Sequence, residues 1–445
     1  MQHRSLKQIA KWLGCLADSQ QIQWFEQDSR AVVPGTLFFA LKGAQVDGHD
    51  FLQEAATRGA LAAVVSKNYV GPSYGMQLFQ VDDVLIALQQ LARLIMAQRS
   101  SKIIAVTGSV GKTTTKEFIA TLLQKKFRTQ KTPGNANSQI GLPLALLNGH
   151  SDEEIFVIEM GMTQRGEIAR LVSIVAPDIA LITRIAPAHI RFFADGLDGI
   201  AAAKAEIFSS PHTSLGILSA QAAQFPAIQR AMHLPKITYS TAEAADLTLE
   251  HHTQHHTQGY RIVEKGVASP YFSLPFSESH LCEDFLGAVS VCRALKMSWD
   301  EILAQVPLLT SAKSRFERIE KDGILYINDT YNANEVSVRA ALSNLPQPQP
   351  GKKRIAVLAK MADLGELTEQ THRAVAHFAL QQIDHLLCFG AETEPMVDVF
   401  KAEKRPAEHF SDLQHLKQRL AAIAESGDVV LVKGANSTKM WRVLE

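Results

Sequence analysis

The chain has 445 residues but only four cysteines, no surplus of charge of either sign, and no long apolar run. Cys15, Cys282, Cys292 and Cys388 form no C-x-x-C pair and are too sparse for a disulfide framework. Lysine and arginine total 45, and so do aspartate and glutamate, so the net charge is zero. That balance argues against a nucleic-acid partner or an anionic membrane surface, either of which needs concentrated basic residues. It leaves room for a local basic site that meets a phosphorylated ligand. No stretch approaches the roughly 18 apolar residues of a transmembrane helix, so membrane insertion is not expected. The opening residues, MQHRSLKQIAKWLGC, lack the apolar core of a signal peptide, and the expected location is the cytoplasm. No internal repeat is visible.

What is present suits a multidomain α/β protein. Apolar residues make up 46% of the chain, enough for several cores. At roughly 150 residues per domain, the length suits about three domains. Residues 1–82 read as a small α/β unit, with strand-like runs at 37–41 and 62–65 and a helix between them at about 51–58. Residues 84–98 have helical periodicity and lead into a second unit, residues 83–311. There, apolar runs at 103–106, 155–158 and 179–183 alternate with helical patterns, which predicts a mostly parallel sheet. Residues 236–275 hold short β-like pieces and are expected to form an antiparallel edge or excursion. The third unit, residues 312–445, has strand-like runs at 324–327, 354–358, 385–389 and 429–432. A Pro-rich loop, 345–351, lies inside it.

The strongest local signal is KIIAVTGSVGKTTTKEFIATLL, residues 102–123. An apolar strand runs into Gly108, Ser109, Val110, Gly111, Lys112, Thr113 and Thr114 and then into a helix, the context of a phosphate loop. Glycines let backbone N–H groups approach phosphate oxygens, and the helix N-terminus adds its dipole. Lys112 suits the outer phosphates, and the Thr113 hydroxyl suits Mg²⁺. Val106 stands where the usual spacing places the first glycine, so the loop is a variant. Glu159, in IFVIEMGMTQRGEI, closes an apolar strand, where ligands of open α/β sheets bind. It is a candidate Mg²⁺ ligand. HHTQHHT, residues 251–257, invites a zinc reading, but it has no Cys or acidic companion and is expected to be an exposed loop.

This variant loop resembles that of the Mur ligase family, the ATP-dependent amide ligases that extend the peptide of the bacterial cell-wall precursor. Other motifs follow in the family's order across nearly the whole chain. DSRAVVPGTLFFALKGAQVDGHDF (28–51) resembles the family's uridine-nucleotide-binding domain. It implies Ser29 and Arg30 near the uridine diphosphate and the Lys42–His49 loop near the sugar-peptide. TPGNANSQIGLPL (132–144) and NDTYNANEVS (328–337) resemble the branch that adds D-alanyl-D-alanine. Asn135, Asn137, Tyr331, Asn332 and Asn334 are the implied substrate contacts, with Asp329 and His280 on the nucleotide. Ser138 and Glu335 depart from that pattern. His189 in APAHI and Lys204 in AAAKAEIF match a histidine and a lysine of the family. The resemblance implies that the lysine is carbamylated and, with Thr113, Glu159 and His189, holds metal. Arg315 in SRFE matches an arginine at the γ-phosphate.

The resemblance therefore implies three domains: uridine-nucleotide-binding, central phosphate-loop, and C-terminal Rossmann-like. It implies ATP and Mg²⁺ as cofactors, with UDP-N-acetylmuramoyl-tripeptide and D-alanyl-D-alanine as substrates. It also implies a reaction that passes through an acyl phosphate, and the protein is expected to be a monomer. Lys112, His189, Lys204 and Arg315 are the expected catalytic residues. Arg184, Leu281, Asp284, Ala359, Lys360, Ala435 and Asn436 depart from the family pattern. The change at Asp284 predicts altered adenine recognition, because a carboxylate only accepts hydrogen bonds. Two alternatives stay open: another amino-acid ligase of the family, and a catalytically silent nucleotide-binding scaffold.

Overall fold

A computed structural model describes residues 4–17, 20–149, 152–254 and 257–445. Three large sheets organise them, beside a two-stranded antiparallel pair, Arg4–Ser5 with Gln21–Ile22. The first has four parallel strands, Trp24–Glu26, Thr36–Phe39, Ala60–Ser66 and Gln77–Val81, side by side in chain order. Two of these, the short Trp24–Glu26 and the half-exposed Gln77–Val81, carry too little apolar patterning to read from sequence.

The helix Val84–Met96 follows, capped by Asp83, whose carboxylate accepts the Ile86 N–H at 2.9 Å. Its apolar face belongs to one continuous core that runs from Leu6 through Phe39 to Ile158 and Phe208. The first and second sheets are thus joined by shared apolar burial. Asn148 adds a polar tie, bonding both the N–H and the C=O of Phe25 at 3.0 and 2.8 Å.

The second sheet has nine strands. Lys102–Thr107 lies between Ile155–Glu159 and Ile179–Ile182, all parallel. Their residues are almost wholly buried, as parallel strands covered on both faces must be. Chain order reverses at Lys102–Thr107, so a crevice opens at its carboxyl end. The far edge is built by Leu247–Gln254, Thr257–Glu264 and Val267–Ala268, an antiparallel meander. This corrects the expectation of an exposed loop at 251–257. His251 and His252 sit in a strand paired with Tyr260 and Gly259, because Leu247, Leu249 and Ile262 pin the pairing to the core and Tyr260 is buried against Phe272. Residues 255 and 256 lie outside the described residues. No three His, Cys, Asp or Glu side chains converge on a metal position among the described residues.

The third sheet has six strands in the order Glu317–Lys321, Ile324–Asp329, Val429–Lys433, Arg354–Ala359, His385–Phe389 and Ala407–Phe410. The first pair is antiparallel and the rest are parallel. The two outer strands are polar and half-exposed, which hid them from periodicity. No helix among the described residues is long and apolar enough to cross a membrane.

Candidate active site

The crevice at the end of Lys102–Thr107 is a cavity of about 610 Å³, walled by the second and third units. Its floor is the phosphate loop. Gly111 has φ +87°, left-handed backbone that glycine adopts without strain, and it opens the helix Lys112–Leu123. A methyl on Gly108 would overlap the Thr183 hydroxyl, which donates to Val110 O at 2.6 Å and shapes the loop from the next strand. The Arg184 C=O accepts the Ser109 N–H at 2.7 Å. The Lys112 ammonium donates to Gly108 O and Ser109 O at 2.8 and 3.3 Å. Burial, with help from the nearby Arg315, draws its pKa down, and Glu159 opposes the shift.

Glu159 is fully buried at its strand end. Its carboxylate accepts from the Thr113 hydroxyl at 2.7 Å and from the Asn137 amide at 2.6 Å. Asn137, with Asn135, lies on the loop after Thr132. That loop is tied to the phosphate-loop helix by Lys116, whose buried ammonium donates to Thr132 O and Gly134 O at 2.7 and 2.6 Å. Lys116 escaped the sequence reading because a lysine in KTTTKEF looks like a solvated helix position. Its carbonyl partners come from elsewhere in the fold.

Lys204 lines the same cavity at 3% exposure and has no hydrogen-bond or ion-pair partner among the described residues. Burial, reinforced by the nearby Lys112 charge, pushes its pKa well below that of an ordinary lysine. His189 is also at the cavity wall. Its Nδ1 lies 2.7 Å from an Asp363 carboxylate oxygen. Burial lowers its pKa against the pull of that carboxylate.

The third unit supplies the roof. The Arg315 guanidinium crosses to donate to the Thr113 hydroxyl at 2.7 Å and lies 3.8 Å over the Tyr331 ring. The loop from Asp329 to Asn334 is held by Lys433, which donates to Asp329 Oδ2 at 2.6 Å and to Asn332 O at 2.9 Å. Asn334 then caps the helix Glu335–Ser343 in a reciprocal box with Ser337. Glu335 occupies the first helical position and pairs with Arg339 at 2.9 Å, so its place needs no proline.

Residues 106–292 match the family model described as Mur ligase middle domain. Residues 314–436 match the Mur ligase, glutamate ligase domain, and residues 21–95 match the Mur ligase family, catalytic domain. A UDP-N-acetylmuramoyl-tripeptide–D-alanyl-D-alanine ligase of Bacillus subtilis (strain 168) is 31% identical, over 99% of this chain and 98% of that protein. The chain belongs to the Mur ligase family. The Escherichia coli (strain K12) ligase of the same name is 32% identical, over 94% of this chain and 92% of that one. Among solved structures, MurF from Acinetobacter baumannii aligns with a TM-score of 0.86 at 26% identity, covering 100% of this chain and 98% of that one. MurF from Thermotoga maritima in complex with ADP aligns at 0.79 with 28% identity, covering 95% and 96%.

Within this Mur ligase, the residues expected at the site fall into two groups. Gly108 to Thr114, Asn135, Asn137, Glu159, His189, Lys204, His280, Arg315, Asp329, Tyr331, Asn332 and Asn334 are at or directly against one cavity. Ser29, Arg30, Lys42 and His49 do not line it. Ser29 donates to Glu54 at 2.6 Å, and Arg30 forks onto Asp28 at 2.7 and 2.9 Å. Lys42 is 80% exposed. His49 accepts the Ser66 N–H at Nε2, 3.0 Å, so its Nδ1 donates to Asp47 at 2.6 Å. One nitrogen of His49 is committed to its own loop and the other to the end of the strand Ala60–Ser66.

The departures also find places. Asp284 is buried against the phosphate loop: a methyl on Gly111 would overlap its carboxylate, and Thr115 donates to it at 3.2 Å. Burial pushes its pKa well up, with Glu283 adding to the shift. Arg184 is exposed at the cavity rim. Lys360 pairs with Glu392 at 3.0 Å, and Asn436 donates to Tyr331 O at 3.2 Å. Nothing in the structure explains Ala359 or Ala435 beyond the small space each occupies.

Proposed function

We propose that this chain joins D-alanyl-D-alanine to UDP-N-acetylmuramoyl-tripeptide at the expense of ATP, in the manner its relatives' names describe. The observation that supports it best is the meeting, in one cavity, of a phosphate loop from the second unit with Arg315 and the Asp329–Asn334 loop from the third. A carboxylate is a poor electrophile, so it must first be activated. Its oxygen attacks the γ-phosphorus, the bond to the β-γ bridging oxygen breaks, and ADP leaves. The dipeptide amine then attacks the acyl carbon, loses a proton, and expels phosphate.

Nucleotide and precursor are both anionic, so the chain's first task is to bring like charges together. Lys112 and Arg315 neutralise from opposite sides. Arg315 suits this because its planar fork can hold two oxygens at once, and its stacking on Tyr331 limits its motion. The loop N–H groups orient the phosphates, and the walls position both partners, which supplies most of the rate.

Thr113 and Glu159 offer a hydroxyl and a carboxylate oxygen 2.7 Å apart, hard donors of the kind Mg²⁺ takes together with substrate phosphates. His189 and Lys204 line the same cavity. These residues fit Mg²⁺, which when bound would neutralise phosphate charge. Burial disfavours the Lys204 ammonium and so favours the neutral amine, which can add CO₂, releasing a proton and leaving an anionic carbamate that would face Mg²⁺ without repulsion. Ser29 and Arg30 are assigned to the uridine diphosphate and the Lys42–His49 loop to the sugar-peptide, with a monomer in the cytoplasm as the working form.

Phosphate release with ATP and the tripeptide precursor tests the reading. Release that requires D-alanyl-D-alanine supports it. Release driven by a single amino acid assigns the chain to another ligase of the family. No release under any of these conditions leaves a nucleotide-binding scaffold and ends the proposal.

A further inference from the structure

The His189 imidazole is positioned by a residue 174 places away, on a different sheet. Asp363 follows the strand Arg354–Ala359 of the third unit, whereas His189 follows Ile179–Ile182 of the second. One Asp363 oxygen lies 2.7 Å from His189 Nδ1, and the other receives Arg191 Nη2 at 2.6 Å. The contact spans the two units. Asp363 itself stays outside the cavity that His189 lines.

Asp363 is presented rigidly. Met361 and Leu364, on either side of it, are buried in the third core. The Met361 N–H donates to His372 Nε2 at 3.2 Å, and His372 Nδ1 in turn reaches Thr368 O at 2.7 Å. Lys360 O accepts the Ala435 N–H at 2.9 Å. His189 and Asp363 both hold left-handed backbone, φ +57° and +61°, which aims their side chains at one another across the junction.

A carboxylate only accepts hydrogen bonds, so it selects the imidazole tautomer that carries hydrogen on Nδ1. The lone pair is then on Nε2, which has no partner among the described residues. Free imidazole prefers the opposite tautomer only weakly, so one charge-assisted bond is enough to decide it. Carboxylates behind metal-binding histidines act in this way.

We propose that Asp363 is a positioning residue: it fixes the His189 tautomer and ring, so that the cation site of the second unit is complete only when the third unit is docked on it. The inference rests on His189 as a metal ligand, as read above. Its test uses the full chain, ¹⁵N-histidine labelling and Mn²⁺ as the probe. At pH 8 the wild-type His189 resonances should show hydrogen on Nδ1, and Asp363→Glu should keep that signature. Asp363→Ala and Asp363→Asn should lose it. Free Mn²⁺ measured by electron paramagnetic resonance should show Asp363→Ala binding roughly 10–100-fold more weakly. Arg191→Ala removes the other half of the junction and should change Mn²⁺ affinity less than about threefold.

A wild-type His189 with hydrogen on Nε2 overturns the proposal. So does an Asp363→Ala protein with wild-type Mn²⁺ affinity while His189→Ala has lost it; that result leaves the metal reading standing. If His189→Ala also binds Mn²⁺ normally, the metal reading falls and the proposal falls with it. Equal weakening by Arg191→Ala would reduce Asp363 to a docking contact and overturn its positioning role.

Discussion

Lys433→Met should loosen the roof of the cavity by an amount that can be worked from the structure. Lys433 is 2% exposed, and its partner Asp329 is 16% exposed at the side chain. The two sit opposite each other on adjacent parallel strands. The ammonium makes the 2.6 Å contact to Asp329 Oδ2, a 2.9 Å bond to Asn332 O and a longer one, 3.4 Å, to Asp329 O. Methionine fills similar space but, among the described residues, leaves the Asp329 carboxylate with only the Phe316 N–H at 3.1 Å. Removing one member of a buried pair strands the other, at a cost of about 3–5 kcal/mol. For a unit of this size, that lowers its melting transition by roughly 10–20 °C. Denaturant unfolding of wild type, Lys433→Met, Asp329→Asn and the double variant closes a cycle, with an expected coupling of about 2–3 kcal/mol. The catalytic efficiency for the dipeptide should fall as well, because Tyr331 and Asn332 are no longer held. A single-variant loss below about 1 kcal/mol, or no coupling, would refute the claim that this pair carries the loop.

Lys204→Met should abolish turnover, by more than about 100-fold, yet leave the protein at least as stable. In wild type burial, reinforced by Lys112, holds the folded amine's pKa well below its ordinary 10.5, so in the window below 10.5 the unfolded chain binds more protons and stability rises with pH. Unfolding midpoints in CO₂-free buffer at pH 7.5 and 9.5 should show this rise in wild type and a shallower one in the variant. Arg315→Lys keeps the charge but loses the fork and the full stacking surface, and steady-state phosphate release should drop roughly 10–100-fold. Asp284 has a raised pKa, so its folded form holds a proton the unfolded chain has lost, and stability declines as pH climbs above 3.8 toward the folded value. Asp284→Asn should therefore raise the melting temperature more at pH 8 than at pH 5, and a larger gain at pH 5 would contradict that burial.

Much of this was legible before any coordinates. Buried parallel strands such as Ile155–Glu159 read as unbroken apolar runs, and a phosphate loop is a local pattern whose spacing survives in the fold. The third sheet's central strands were visible for the same reason. Its outer strands, ERIEK and AEHF, were not, because a half-solvated edge has no apolar signature. The contacts that decide the site's chemistry were the least legible. Asp363 meets His189 across two units, Lys116 is buried by carbonyls from a loop 16 to 18 residues on, and Asp284 is desolvated by packing against Gly111. Each is a long-range or tertiary effect on a residue whose type and neighbours look ordinary.

The strand order of the third sheet bears on how the molecule is made. Its interior strand, Val429–Lys433, is the last of the six to be synthesised, yet it lies between the second and third in chain order. On a ribosome, Ile324–Asp329 and Arg354–Ala359 therefore wait side by side with a gap between them while about seventy further residues are added. Until the gap is filled, two apolar strand edges stay open to any other nascent chain. The lysine that anchors the Asp329–Asn334 loop is carried on that same late strand. Closing the sheet and arming the roof of the cavity are thus one event, and no unfinished chain can have one without the other.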